Sequence, residues 1–324
     1  MNILVTGGAG YIGSHACLRL KEKGHRVLVY DNLIYGHAKS ALGWEVIEGD
    51  LADREKLRQI FAANDFDAVM HFAAYAYVGE SVEDPKKYFG NNLVNAINLL
   101  NVMLEHNVKK LIFSSTCATY GEPLSELIDE SHRQAPINPY GESKLFFEKV
   151  INRYSEAYGL KAISLRYFNA AGADPEGRIG ESHDPETHLI PLVLKAAKGE
   201  RESVSIFGDD YDTPDGTCIR DYIHVFDLAE AHLLALDKLD QIKGSRFYNL
   251  GNGTGFSVKE VISCAEKVTG VRVKVNIAGR REGDPARLVA GARLARQELG
   301  WWPEYGSLEK IIESAWNWEV KKRF

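Results

Sequence analysis

Two periods of apolar and polar residues alternate along the first half of the chain. Asn2-Ile3-Leu4-Val5-Thr6 is a short apolar run with a β-branched bias, which predicts a strand. An apolar-periodic helix follows to about Lys23, and residues 26–30 form a second strand ending at Asp31-Asn32. Residues 45–48 read as a strand closed by Gly49-Asp50-Leu51, residues 54–63 as a helix, and residues 68–72 as a strand followed by Ala73-Ala74. Residues 86–107 are mostly helical, and residues 110–114 are a strand running into Ser115-Thr116. Pro139 suits the first position of a helix, where its missing N–H has no partner anyway. That helix carries Leu145, Phe146, Val150 and Ile151 and extends to about Tyr158, and residues 161–167 are one more strand. Strands alternating with helices of about ten residues or more predict a parallel, doubly wound sheet.

Past Asn169 the alternation breaks down. Residues 170–188 are rich in Gly, Pro and acids and read as a loop. Short elements follow: a helix over 189–198, a strand over 204–207, a polar loop over 208–217, a strand over 220–225 and a helix over 226–239. Residues 246–250 are a further strand, and 258–269 and 308–321 are helices. The expectation is an α/β protein: a Rossmann-type domain over residues 1–169, then a smaller α/β substrate-binding lobe over 170–324, with excursions back to the main sheet.

Composition narrows the class. The 324 residues are 45% hydrophobic and 26% charged, ordinary for a globular protein with a sizeable core. A net charge of −6 argues against non-specific nucleic-acid binding and against an anionic membrane surface. The opening residues have no basic n-region, and no stretch approaches the roughly 20 apolar residues of a membrane span. Cys17, Cys117, Cys218 and Cys264 are scattered, and the ten histidines show no metal-ligand spacing. The expectation is a cytoplasmic protein with reduced thiols and no metal.

Candidate chemistry lies at the strand ends, where ligands bind in sheets of this kind. Gly7-x-x-Gly10-x-x-Gly13 follows the first strand and opens a helix, and Asp31 stands 18 residues past the last of these glycines. In that setting glycines let the backbone approach a pyrophosphate, the helix N-terminus stabilises its charge, and the acid accepts from a ribose hydroxyl. Asp31 would repel a 2′-phosphate, so NAD is favoured over NADP. Tyr140 and Lys144 are four apart on one helix, and an ammonium beside a phenol lowers the phenol's pKa. Alone, this spacing is common on solvated helices. Arg220 and Arg281 offer guanidinium forks suited to phosphate oxygens, although a lone arginine more often makes a surface ion pair. Cys117 reads as a packed residue and His71 as a structural one.

These motifs, with Val78-Gly79-Glu80-Ser81, residues 165–169, residues 215–225 and Arg280-Arg281-Glu282-Gly283-Asp284, resemble the extended short-chain dehydrogenase/reductase superfamily. Within it the chain is similar, over residues 1 to about 320, to the UDP-glucose (UDP-galactose) 4-epimerases. The resemblance implies oxidation at sugar carbon 4 to a 4-keto intermediate and re-reduction on the opposite face, using bound NAD. It implies Tyr140 as catalytic base, Lys144 as its partner and ribose contact, and Thr116 as a hydroxyl near the sugar 4-hydroxyl. It places Tyr11, Ile12, Asp31, Asn32, Asp50, Leu51, Phe72, Ala73, Asn91 and Phe168 at the cofactor. It places Asn169, Leu189, Phe207, Arg220, Arg281 and Asp284 at the UDP-sugar, and suggests a homodimer through the helices over 86–107 and 139–158. The chain departs from the family pattern at Thr116 (often Ser), Ala76 (often Lys), His188 (an Asn) and Leu288 (a bulky Tyr in some members). Leu288 leaves N-acetylated sugars and UDP-pentoses harder to exclude. Cys117-Ala118 stands where nucleotide-sugar 4,6-dehydratases carry Asp-Glu, which disfavours dehydration. A non-catalytic NAD-sensing protein would tend to lack the Tyr or the Lys.

Overall fold

The computed structural model describes every residue except Glu282 and Arg323. In chain order the first elements are β1 (Asn2–Thr6), α1 (Tyr11–Glu22), β2 (Arg26–Asp31), β3 (Glu45–Glu48), α2 (Arg54–Ala63) and β4 (Ala68–His71). Next come α3 (Val78–Glu83), α4 (Pro85–Tyr88), α5 (Ala96–Glu105), β5 (Lys110–Thr116), α6 (Pro139–Tyr158) and β6 (Lys161–Tyr167). A wider, π-type segment, Phe89–Asn95, joins α4 to α5 and makes one helical run of the three. Then follow β7 (Asn169–Ala171), α7 (Leu189–Lys198), β8 (Val204–Phe207), β9 (Ile219–Arg220), β10 (Tyr222–His224), α8 (Val225–Lys238), β11 (Ser245–Leu250) and β12 (Phe256–Ser257). The last are α9 (Val258–Thr269), β13 (Val275–Ala278), β14 (Arg287–Leu288), α10 (Arg293–Leu299) and α11 (Leu308–Lys321).

Two compact units form. The first comprises Met1–Gly121, Arg133–Arg166 and Ala229–Tyr248. Its sheet has seven strands in the order β11-β6-β5-β4-β1-β2-β3. β1 pairs in parallel with both β2 and β4, so the strand order reverses at β1. That reversal opens a crevice at the carboxyl ends of β1 and β4, where a doubly wound sheet holds its ligands. Both faces of the sheet are covered, as a parallel sheet requires. Leu4, Val69, Leu111 and Phe113 pack with Leu99 and Met103 of α5 and Phe147 and Ile151 of α6 in one apolar core. Each such side chain contributes about 1.5–3 kcal/mol when fully buried. This is the α/β, Rossmann-type fold expected from the sequence.

The second unit comprises Glu122–His132, Tyr167–Leu228 and Asn249–Phe324. Its core is built by Ile190 and Val193 of α7, Val261 and Ile262 of α9, and Ile311 and Ile312 of α11. Small sheets flank it: β8 with β13, β12-β9-β14, and β7 with β10. The single strand expected over 220–225 is two strands in different sheets. The break falls at Asp221, whose buried carboxylate accepts the N–H groups of Asn252, Gly253 and Ala290 at 2.9, 3.0 and 3.1 Å. At this residue the backbone changes ladders: the Asp221 N–H donates to the Leu288 carbonyl at 3.1 Å and its carbonyl accepts the Asn169 N–H at 3.0 Å. Burial raises the Asp221 pKa to about 6 against the lowering effect of the N–H donors on its carboxylate.

Candidate active site

The glycine loop sits at the end of β1. Gly7 has φ +72, and a Cβ there would lie 2.4 Å from the backbone nitrogen of Ala73. A Cβ on Gly13 would lie 2.2 Å from the Gly7 carbonyl oxygen. These two positions admit only glycine, for packing reasons alone. Gly10 differs: a Cβ there would meet only the Gly7 oxygen, at 3.4 Å, so its outer side is open. Gly10 also caps α1 with no side-chain hydrogen bond. The loop is thus a cradle of backbone at a helix N-terminus, with space on its outer side for a diphosphate.

Asp31 ends β2 and is 7% exposed. Its carboxylate accepts from the N–H of Ala9, at 3.0 Å, and of Leu33, at 2.9 Å. Burial raises its pKa against those two donors. The Asn32 amide donates to the Asp50 carboxylate at 2.8 Å, and Leu51 beside it is buried. Asp50 and Asn91 line one open pocket of about 450 Å³ together with Tyr75, Lys87 and Asn95. Phe72 and Ala73 follow β4, with their N–H groups on the Thr6 carbonyl at 2.8 and 3.1 Å. The chain therefore gathers Gly7, Gly10, Tyr11, Ile12, Gly13, Asp31 and Ala73 around the strand-order reversal, with Asn32, Asp50, Leu51, Phe72 and Asn91 in the same unit. An open glycine cradle and a buried acid at the next strand end fit a dinucleotide.

The helix that carries Tyr140 is fixed at both ends. Asn138 Oδ1 accepts the Gly141 N–H at 2.9 Å, Pro139 occupies the first turn, and Gly159 ends the helix at φ +70. One turn in, the Lys144 ammonium donates to the Ser114 carbonyl at 2.9 Å and lies 4.9 Å from the Phe113 ring centre. Burial lowers the Lys144 pKa to about 7, although Glu148 opposes the change. Thr116 ends β5 and accepts the Ala118 N–H at 3.1 Å, and its hydroxyl is the group that favours the Tyr140 phenolate. The expectation that Lys144 lowers the Tyr140 pKa is not met in the free chain. Burial raises it to about 12, and the lowering comes from the Thr116 hydrogen bond. The reason is that Lys144 is itself held on a strand carbonyl and partly discharged by burial.

His71 is structural. Thr6 Oγ1 lies 2.7 Å from its Nδ1, and burial, reinforced by the Lys144 charge, lowers its pKa to about 3.

One group escaped the sequence reading. Glu148, four residues past Lys144, is 2% exposed and takes a fork from Arg166 at 2.8 and 2.6 Å, with Ser115 donating at 2.6 Å. Arg166 also donates to the Tyr120 hydroxyl at 2.9 Å. The i, i+4, i+8 spacing of Tyr140, Lys144 and Glu148, and an arginine inside an otherwise apolar strand, were the available signals.

In the second unit, four predicted residues meet. Arg220 donates to the Pro285 carbonyl at 2.9 Å and to Asp284 at 3.2 Å. Arg281 donates to the other Asp284 oxygen at 2.9 Å, and its guanidinium lies 4.9 Å from the Phe207 ring centre. Asp284 thus holds two forks side by side, and the Arg281 side chain is 59% exposed. Leu288 is the register partner of Arg220. Elsewhere in that unit, Asn169 donates to the Asp221 carbonyl at 3.1 Å beside buried Phe168, and Leu189 packs at the edge of the core.

A family model described as the NAD dependent epimerase/dehydratase family matches residues 3–251. The chain belongs to this family. NAD is accordingly its cofactor, and the resemblance read from the sequence holds. The UDP-glucose 4-epimerase of Halalkalibacterium halodurans is 57% identical over 318 residues, which cover 98% of this chain and 95% of that protein. The crystal structure of UDP-glucose 4-epimerase from Brucella ovis in complex with NAD is 48% identical, with a TM-score of 0.95 and 97% of both chains covered. The UDP-Glc/GlcNAc 4-epimerase of Campylobacter jejuni is 46% identical, with a TM-score of 0.87 and 99% of both chains covered. Among the described residues no helix is long and apolar enough to cross a membrane.

Proposed function

We propose that this chain interconverts UDP-glucose and UDP-galactose. The observation that carries the reading is the buried Lys144 ammonium on the Ser114 carbonyl at 2.9 Å, which sets the helix of Tyr140 against the strand that ends in Thr116, in the unit that also holds the glycine cradle. NAD, when bound, supplies the hydride acceptor for carbon 4, the donor that returns it to the opposite face of the 4-keto sugar, and a positive ring.

The protein's own groups handle the proton and the anchor. Tyr140 takes the proton of the sugar 4-hydroxyl and gives it back after re-reduction. With a pKa near 12 it needs added positive charge to serve as base at neutral pH. That charge would come from the bound nicotinamide together with Lys144 in its protonated form, which Glu148 four residues on favours. Thr116, whose oxygen already accepts from a backbone N–H, has its hydroxyl proton left to hold the phenolic oxygen in place. Gly7, Gly10, Tyr11, Ile12 and Gly13 take the cofactor diphosphate, Asp31 and Asn32 the ribose, and Asp50, Leu51, Phe72, Ala73, Asn91 and Phe168 the remainder of the cofactor. Arg220 and Arg281, aligned by Asp284, take the UDP diphosphate, with Asn169, Leu189 and Phe207 completing that contact. Holding the nucleotide far from carbon 4 leaves the sugar able to present either face.

Two further statements complete the reading. Two copies pair through the helical run from α4 to α5 and through α6, which expose Val94, Phe146 and Tyr158. The protein works in the cytoplasm, where thiols such as those of buried Cys17 and Cys218 stay reduced.

The test is to incubate the purified protein, without added NAD, with UDP-galactose and separately with UDP-N-acetylgalactosamine. The expected result is conversion of UDP-galactose to UDP-glucose. Failure with UDP-galactose in the presence of supplied NAD contradicts the reading. Conversion of the N-acetylated sugar as well would assign Leu288, beside Arg220, to a wider sugar range.

A further inference from the structure

The loop of the second unit that leads up to Leu189 gathers four metal-competent side chains. The histidine spacing along the sequence gave no sign of it, because the donors alternate between acids and imidazoles. Glu181, His183, Glu186 and His188 each place one donor atom within 4.8 Å of all the others. His188 Nδ1 lies 2.8 Å from Glu181 Oε1 and 2.9 Å from Glu186 Oε1. His183 Nδ1 lies 3.1 Å from Glu181 Oε1 and 3.8 Å from Glu186 Oε2. Bonds of about 2.0–2.2 Å to a tetrahedral ion set neighbouring donors about 3.3–3.5 Å apart. Three of the four separations, 2.8–3.1 Å, fall short of that value and the fourth, 3.8 Å, exceeds it, so the side chains must shift by a few tenths of an ångström to seat the ion.

We propose that Glu181, His183, Glu186 and His188 form a structural site for a divalent transition ion of the zinc class.

Three observations support it. First, two carboxylates are buried together: the Glu181 and Glu186 side chains are 7% and 4% exposed. Burying two adjacent anions is costly unless positive charge lies between them. Second, both imidazoles aim the same nitrogen, Nδ1, at one oxygen of Glu181. One cation bonded to both nitrogens and to the carboxylates meets that geometry with neutral rings. Third, the acids are held by groups other than the four ligand side chains. Glu186 Oε1 accepts the N–H groups of Thr187 and His188, both at 2.8 Å. The Glu181 carbonyl accepts the Trp318 indole N–H of α11 at 2.9 Å, and a Cβ on the preceding Gly180 would lie 2.3 Å from that ring. Outer contacts of this kind preset metal ligands.

Two nitrogens and two carboxylate oxygens suit zinc better than calcium or magnesium, which take oxygen ligands alone. Four protein ligands leave no open position, so the ion is structural. Its position immediately before Leu189, the first residue of α7, ties the loop after β7 to that helix.

The test uses the full chain, stripped with a chelator and titrated with Zn²⁺ against a chromophoric competitor, and in parallel with Co²⁺. The expected results are one zinc per chain, the intense visible bands of four-coordinate Co(II), and a higher melting temperature with zinc. In the double variant His183→Ala/His188→Ala, zinc affinity should fall by more than the roughly 10–100-fold that losing an outer-shell partner costs, with no zinc-dependent melting shift. A wild-type chain that takes up no zinc and melts alike with and without it overturns the site, leaving an ion-pair network. Equal zinc uptake by the folded double variant overturns it also. Should the variant not fold, the wild-type Co(II) spectrum decides: four-coordinate bands support the site, and their absence overturns it.

Discussion

The Lys144 ammonium and the Ser114 carbonyl oxygen lie 2.9 Å apart, which ties the middle of the first turns of α6 to the strand that ends in Thr116. The same contact sets the helix that carries Tyr140 against the strand that ends in Thr116. The lysine is therefore a joint between helix and strand as well as a source of charge. Its burial, at 3% exposure, has a thermodynamic signature.

Burial lowers the Lys144 pKa to about 7, from an ordinary 10.5. Between those values the unfolded chain binds more protons than the folded one, so the lysine makes the folded state gain stability as pH rises through that window. Below about pH 7 both states carry the charge, and the full cost of burying it is present. Lys144→Met, which removes the titration, should gain most over wild type near pH 7 and lose that advantage by about pH 10. Urea midpoints of both proteins across this range check it. A difference that does not change with pH contradicts the assignment.

Glu148 and Arg166 are the buried pair behind Lys144, with side chains 2% and 4% exposed. Arg166→Met leaves a carboxylate buried without its fork and should destabilise the protein by about 3–5 kcal/mol. Glu148→Leu combined with Arg166→Met should recover most of that loss. Chemical denaturation of the two single variants and the double measures it, and additive losses would show that the two residues act independently.

Gly13→Ala adds a methyl 2.2 Å from the Gly7 carbonyl oxygen. The loop must shift, and with it the backbone cradle at the start of α1. The variant should retain its secondary structure by circular dichroism and lose most of its bound NAD, measured by absorbance after denaturation. NAD content equal to wild type would remove the glycine loop from the cofactor site.

Arg281 is largely exposed, so its removal tests binding with little effect on folding. Losing hydrogen bonds to a charged group costs about 1.5–3 kcal/mol, or roughly 10–150-fold in affinity. Arg281→Ala should weaken UDP binding by that factor in calorimetry and leave the melting temperature within about 1–2 °C, as a surface change within ±0.5 kcal/mol would. Unchanged UDP affinity would assign Arg281 to its Asp284 ion pair alone.

Most of the first unit was legible in the chain because its signals are local. The hydrophobic period, the Asn138 cap with Pro139, and the glycine loop after β1 each specify structure within a few residues. In the second unit the helices over 189–198, 258–269 and 308–321 and the strand over 204–207 were legible, and its other strands were not. Its strands are two to four residues long, and at Asp221 the backbone passes from Leu288 to Asn169, partners far along the chain. The candidate site divides in the same way. The positions of Tyr140, Thr116 and Asp31 follow from motif and strand end. The placement of Lys144 on a carbonyl and the Glu148–Arg166 fork depend on packing between a helix and two strands, at which the helical spacing hints without specifying partners. The Glu181–His188 cluster depends on a loop with no period at all.

The central claim is that Tyr140 moves the proton of the sugar 4-hydroxyl. It is tested most directly by following UDP-galactose by proton NMR with wild type and with Tyr140→Phe, after confirming that the variant folds and binds UDP as wild type does. Wild type should convert UDP-galactose to UDP-glucose, and the variant should be slower by roughly 10²–10⁴-fold, the usual share of a positioned acid–base group. Conversion by Tyr140→Phe at close to the wild-type rate would contradict the account.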